Sequence, residues 1–301
     1  ALFKVTCSPT TSAIGDSSRT RAMSLSGIRP VTAPSVGPAA TGRRPGSANC
    51  GRVSGGSGYR STMDDEPDLL PLDIEVGKVL AIVAHPDDLE YGAAAAVAAW
   101  TRAGHEVVYL LATRGEAGID GMAPEQAAPV REAEQRASAA VVGVRVVEFL
   151  DHHDGVIENG MPLRRDLAAA IRRHRPDTVL LFNHHATWVP GRLNSPDHRA
   201  VGNAALDAIG DAGNRWIFPD AGGEPHHVRF ALVAGSASAT HALAVTDTVD
   251  LAVASLSAHR AYLDGLGDHP MSDPESVRVF LEMAGQRLGG GSAVAFEVFT
   301  F

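Results

Sequence analysis

Val79-Leu80-Ala81-Ile82-Val83-Ala84-His85-Pro86-Asp87-Asp88-Leu89-Glu90 decides the reading of this chain. Five apolar residues make a strand with no polar face, which belongs in the middle of a parallel sheet covered on both sides. The strand ends in an imidazole and two adjacent carboxylates, and a helix starts at once. Three such groups at the C-terminal edge of a buried strand are costly unless they bind something. In open α/β sheets that edge is where ligands sit.

The same alternation continues downstream. Strand-like runs at Val79–Ala84, Val107–Ala112, Val144–Leu150 and Thr178–Phe182 are followed by helical ones at Glu90–Ala103, Pro124–Val142, Met161–His174 and Asp197–Ala212. Repeated strand–helix units imply parallel strands with right-handed crossovers. The expected fold is a three-layer α/β sandwich with a mostly parallel sheet. Further strands are expected at Phe230–Ala234, Ala242–Thr246 and Ala293–Phe301, and helices at Val249–Leu266 and Pro274–Leu288.

Residues 1–74 read as a disordered segment ahead of a catalytic domain at 75–301. The segment is rich in Ser, Thr, Gly, Pro and Ala and has no sustained apolar period, so burial could not offset its folding entropy. Residues 1–62 read as an extension before Met63, or as a targeting peptide. They carry a net charge of +7 and the rest −16. An acidic body argues against nucleic acid as the partner. No apolar run approaches the ~20 residues needed to span a bilayer. Both cysteines, Cys7 and Cys50, lie in the N-terminal segment. The body therefore has no thiolate nucleophile and no disulfide, which fits a reducing, cytoplasmic compartment. The sequence leaves a homo-oligomer open.

His85 and Asp88, three residues apart on a turn, can converge on one cation. A catalytic zinc site uses three protein donors and keeps a position for water. The remaining donor is expected from Asn194-Ser195-Pro196-Asp197-His198, which follows the strand Thr178–Phe182 and opens the next helix at the same sheet edge. The predicted set is His85, Asp88 and His198. Asp87, pointing elsewhere, is left as general base. Asp197 reads as a cap or as a partner that orients a histidine. Zinc is the expected metal, and ferrous iron or cobalt suits the same donors.

Ala84-His85-Pro86-Asp87-Asp88-Leu89-Glu90 followed by Pro196-Asp197-His198 resembles the LmbE-like (PIG-L) family of zinc-dependent N-deacetylases. The resemblance runs from about Lys78 to at least Phe218. It implies a Rossmann-like catalytic domain and removal of acetyl groups from N-acetylglucosaminyl compounds, with His85, Asp88 and His198 as metal ligands and Asp87 as base. It also implies substrate contacts from Arg131 of the Arg131-Glu132 pair and from Asp154, and it likens Ala258-His259 to a family pair near the pocket. One departure stands out: the family commonly reads His-Pro-Asp-His, whereas Ser195 occupies the first position here. A serine hydroxyl donates a hydrogen bond to an oxyanion but no charge. Ser195 is therefore expected at the substrate, and three outcomes stay open: His184, His185 or His153 supplies the charge, the metal alone suffices for a slower reaction, or the substrate is unusual. Alternative expectations are an amidase acting on a larger thiol–sugar conjugate and a metal- or carbohydrate-binding homologue without turnover. A nucleotide-binding fold would need a Gly-rich turn where His85-Pro86-Asp87-Asp88 stands.

Overall fold

The computed structural model describes residues 68–189 and 191–301. The expectations for residues 1–67 lie outside the described residues. The elements run β1 (Leu70–Pro71), β2 (Val79–Val83), α1 (Asp88–Gly92), α2 (Ala94–Arg102), β3 (Val107–Leu111), α3 (Pro124–Val141), β4 (Val146–Phe149), α4 (Met161–His174) and β5 (Thr178–Phe182). They continue with β6 (Thr187–Val189), β7 (Arg192–Leu193), α5 (Pro196–Gly213), β8 (Phe230–Ala234), β9 (His241–Ala244), α6 (Val249–Leu256), α7 (Arg260–Leu266), α8 (Ser276–Leu288) and β10 (Ala293–Thr300).

Eight strands form one sheet in the order β1-β9-β10-β8-β5-β2-β3-β4. The block β8-β5-β2-β3-β4 is parallel throughout, and β10 runs antiparallel to both its neighbours. Every residue of β2, β3 and β5 is buried. Alternate side chains feed two cores. Val79, Ala81 and Val83 pack beneath α2 and α6, whereas Leu80 and Ile82 pack beneath α4 and α5. Together these make the expected three-layer α/β sandwich.

The chain builds β2, β3 and β4 outward in one direction, then crosses back through α4 to lay β5 on the other side of β2. The sheet therefore switches direction between β2 and β5, and a crevice opens above their C-terminal ends. His85 follows β2 into that crevice, and α5 enters it after β5.

Several boundaries differ from the sequence reading. The helix expected over Glu90–Ala103 breaks at Ala93 (φ −145°) into α1 and α2. A side chain at Gly92 would come within 2.7 Å of the Phe182 ring, so the chain passes closely over β5 there. The helix expected over Val249–Leu266 is likewise two helices, separated at Ser257–His259. Leu70–Pro71 lies within the stretch expected to be disordered, yet pairs in parallel with His241–Ala242 as β1. Edge pairing needs only backbone groups, so it leaves little trace in apolar periodicity. The β6–β7 hairpin sits in what read as a plain polar loop. No helix among the described residues is long and apolar enough to cross a membrane.

Candidate metal centre

His85 Nδ1, Asp88 Oδ1 and His198 Nε2 face one another, all three residues buried. His198 Nε2 is 3.2 Å from His85 Nδ1 and 2.9 Å from Asp88 Oδ1, and His85 Nδ1 is 3.7 Å from Asp88 Oδ1. Donors held about 2.1 Å from a tetrahedral zinc would lie about 3.4 Å apart. The triangle has that size, so the cluster is capable of holding a divalent cation.

The surrounding groups orient each donor. Asp88 turns its other oxygen back to accept from Ala84 N (3.0 Å) and His85 N (2.9 Å). His198 Nδ1 lies 3.0 Å from Asn194 Oδ1. An amide oxygen only accepts, so Nδ1 carries the hydrogen and the Nε2 lone pair faces the cluster. Asn194 is itself fixed by donating to Asn183 O and His185 O. On the far side of His85, Nε2 lies 3.1 Å from both Asp197 Oδ2 and Asp154 Oδ1. Asp197 accepts in addition from Gly155 N and Ile157 N, and Asp154 from Ala117 N. Asp197 thus lies between the His85 imidazole and the backbone of Gly155 and Ile157.

A second donor group, His85 with Asp154 and Asp197, shares that imidazole. Its two carboxylates are closed off from solvent and already accept from three backbone amides. It suits an N–H of His85 better than a catalytic cation.

Electrostatics point the same way. Burial opposes a charged His85, but hydrogen bonds to Asp154, Asp197 and Asp88 outweigh it and push the imidazole up to about 10. His198 is lowered by burial, with His85 adding to the effect. For Asp88, burial acts upward but His198 and His85 prevail, and the carboxylate is held well below its ordinary range. The cluster thus draws positive charge. A histidine binds a metal only in its neutral form, so a cation would displace the Nδ1 proton of His85. Uptake of zinc near pH 7.5, above the ordinary histidine value but below 10, should release on the order of one proton per site. Apparent affinity should climb with pH until His85 has titrated. Calorimetry in buffers of differing ionisation enthalpy reads this number, and a value of zero would contradict the protonated resting state.

Asp87 is buried, and neither carboxylate oxygen has a hydrogen-bond partner among the described residues. Its backbone is left-handed, φ 93°, a conformation that costs a non-glycine residue about 1–2 kcal/mol. Arg131 approaches from below and is wholly buried. Its Nη2 donates to Pro86 O at 2.6 Å and lies 3.5 Å from Asp87 Oδ1, its Nη1 donates to Gly115 O, and the guanidinium stacks on Tyr262 at 4.2 Å. Side chains at Gly115 or Gly118 would come within 2.4 and 2.2 Å of Arg131 Nη1, which explains two glycines of the loop after β3.

The predicted substrate residues separate into two kinds. Arg131 and Asp154 have no exposed side-chain surface, so they meet the Asp87 turn and the His85 ring rather than open solvent. Ser195 is half-buried at the start of α5, where its hydroxyl accepts from Asp197 N at 3.2 Å. Of the three replacement histidines, His184 is buried and lowered by burial first and by His185 second. It would therefore offer a hydrogen bond without charge. His185 pairs with Glu297 at 2.7 Å, and His153 is exposed beside Glu116. Sequence reasoning missed Asn194 and Trp188. The half-buried Trp188 ring stands edge-on to His198 at 5.4 Å and packs on Phe182. Asn194 heads the Asn-Ser-Pro-Asp-His run, but nothing in its residue type distinguishes a histidine anchor from a turn residue.

Residues 80–209 match the family model described as PIG-L: GlcNAc-PI de-N-acetylase, and over this segment the chain resembles the PIG-L/LmbE-like family. It is 35% identical over 141 residues to the diacetylchitobiose deacetylase of Thermococcus kodakarensis, a match covering 46% of this chain and 51% of that protein. The chain spans about half the length of the curated relatives it matches. Among solved structures, an inhibitor complex of N,N'-diacetylchitobiose deacetylase from Pyrococcus horikoshii superposes with a TM-score of 0.66 at 24% identity, covering 74% of this chain and 84% of that one. A 4-carboxy-2-hydroxymuconate hydratase from Pseudomonas putida does so with 0.60 at 19% identity, covering 75% and 97%. These two show the fold, which evidently hosts more than one reaction.

Proposed function

We propose that this chain is a zinc-dependent hydrolase that removes the acetyl group from an N-acetylated amino sugar. His85, Asp88 and His198 hold the metal, and Asp87 is the base. The observation that carries the reading is the Asp87 carboxylate. It is buried, without a hydrogen-bond partner among the described residues and held on a strained backbone, in the residue next to a three-donor cluster. A buried carboxylate with a guanidinium 3.5 Å away but no hydrogen bond is expensive unless chemistry uses it.

When bound, zinc supplies Lewis acidity, polarising the amide carbonyl and making water easier to deprotonate. Asp87 takes a proton from the attacking water and returns it to the departing amine nitrogen, so that one amide and one water become acetic acid and a free amine. Arg131 balances the charge of Asp87 without capping it. Asp197 and Asp154 hold His85 through its far nitrogen, and Asn194 does the same for His198. Ser195, the predicted substrate residue with a partly exposed side chain, is left to meet the substrate. The substrate class draws support from the relatives, whose names specify diacetylchitobiose and an N-acetylglucosaminyl malate.

The test is a panel of N-acetylglucosamine, diacetylchitobiose and N-acetylglucosaminyl malate, assayed for released acetate. Zinc-loaded protein should release acetate from at least one, lose the activity to a chelator and regain it with zinc. Metal-loaded protein that releases none from any of them would reject the assignment and leave a binding protein in its place.

A further inference from the structure

One peptide plane below the cluster is gripped from both sides by a single helix. The peptide joining Pro86 to Asp87 offers one carbonyl and one N–H. Arg131 Nη2 donates to that carbonyl, and the N–H donates to Gln135 Oε1 at 3.2 Å. Arg131 and Gln135 stand four residues apart on α3, so they rise from one face of it. Both are buried. The plane they hold sets the backbone of Asp87, which stands at φ 93°. Turning the plane over would pull the carbonyl from Arg131 and the N–H from Gln135, and would swing the Asp87 side chain.

Gln135 has its own support. Its Nε2 donates to Glu90 Oε1 at 2.9 Å. Ser138 Oγ donates to the same oxygen at 2.6 Å and meets Ser255 Oγ at 2.7 Å. His259 Nε2 lies 3.6 Å from the other Glu90 oxygen. All of these groups are buried. A carboxylate accepts, so Glu90 faces the NH₂ end of Gln135, and the carbonyl end is left for Asp87 N. Glu90 therefore decides which way the amide points.

We propose that Gln135, oriented by Glu90, is a positioning residue for Asp87, holding the Pro86–Asp87 peptide in the orientation that leaves the Asp87 carboxylate without a protein hydrogen bond beside the three-donor cluster. Its consequence for rate rests on Asp87 being the base. The clamp itself does not, so the two fail separately.

The decisive variants are Gln135→Met, Gln135→Glu and the exchange Glu90→Gln with Gln135→Glu. Gln135→Met removes the acceptor. Gln135→Glu keeps the shape but sets two carboxylates face to face. The exchange restores one carboxylate opposite one amide. In zinc-loaded protein both single variants should lower kcat on the order of 10- to 100-fold, with KM within about twofold and zinc content unchanged. The exchange should recover most of the rate. If Gln135→Met does not fold, the two shape-conserving variants carry the test. Wild-type kcat in Gln135→Glu, a loss of rate matched by a loss of zinc, or an exchange no better than Gln135→Glu would each overturn the proposal. A crystal structure of Gln135→Glu needs no substrate. The Asp87 peptide should have turned or become heterogeneous, and an Asp87 still ordered at φ near 93° would refute the clamp even if the chain hydrolyses no acetamide.

Discussion

Asp87→Asn should lower kcat by about 10²- to 10⁴-fold, the range that a positioned general base contributes. An asparagine keeps the volume and the left-handed backbone, which Asn tolerates well, but it cannot take a proton. Asp87 is outside the three-donor cluster, so bound zinc should stay at one per chain. The two readouts together are informative. Loss of rate with metal retained assigns Asp87 to chemistry. Loss of both would mean that the residue supports the metal, and an active Asp87→Asn would remove it from the mechanism. Kinetics on the best panel substrate, with zinc measured on the same preparation, decide among these.

His198→Ala should have the second large effect, on metal before rate. His198 is the one donor that comes from a distant part of the sequence, and it closes the triangle at 3.2 and 2.9 Å from the other two. Without it His85 and Asp88 remain as a two-donor turn. Zinc affinity should then fall by more than the 10- to 100-fold typical of losing a supporting partner, and activity should disappear at zinc concentrations that saturate the wild type. Stoichiometric zinc in His198→Ala, measured after dialysis, would show that the cation is held elsewhere.

Much of this arrangement was legible in the chain. The buried strand before His85, the matching strand before Asn194-Ser195-Pro196-Asp197-His198, and the helices between them place both segments at one sheet edge. The physics of parallel sheets then brings them together. Arg131 and Gln135 were far less legible. On α3 the residues Arg131, Gln135 and Ser138 repeat with helical period and are polar, which reads as a solvated face. They are in fact the buried face, because the turn above them presents backbone polar groups and carboxylates that an apolar face could not satisfy. A hydrophobic-inside rule inverts at such a place. Asp154 was obscure for a related reason. Its position in a glycine-containing turn reveals a carboxylate near the site but not which nitrogen of His85 it meets. The breaks at Ala93 and at Ser257–His259 were hidden as well, since alanine and serine carry no stop signal of their own. They arise from close passage over β5 in the first case and from docking around α3 in the second.

If two distant loops share one cation, X-ray data collected at the zinc absorption edge will locate it between them. A single anomalous peak is expected about 2.0–2.2 Å from each of His85 Nδ1, Asp88 Oδ1 and His198 Nε2. A peak on the opposite side of His85, among Nε2, Asp154 and Asp197, or no peak in zinc-loaded crystals, would contradict it.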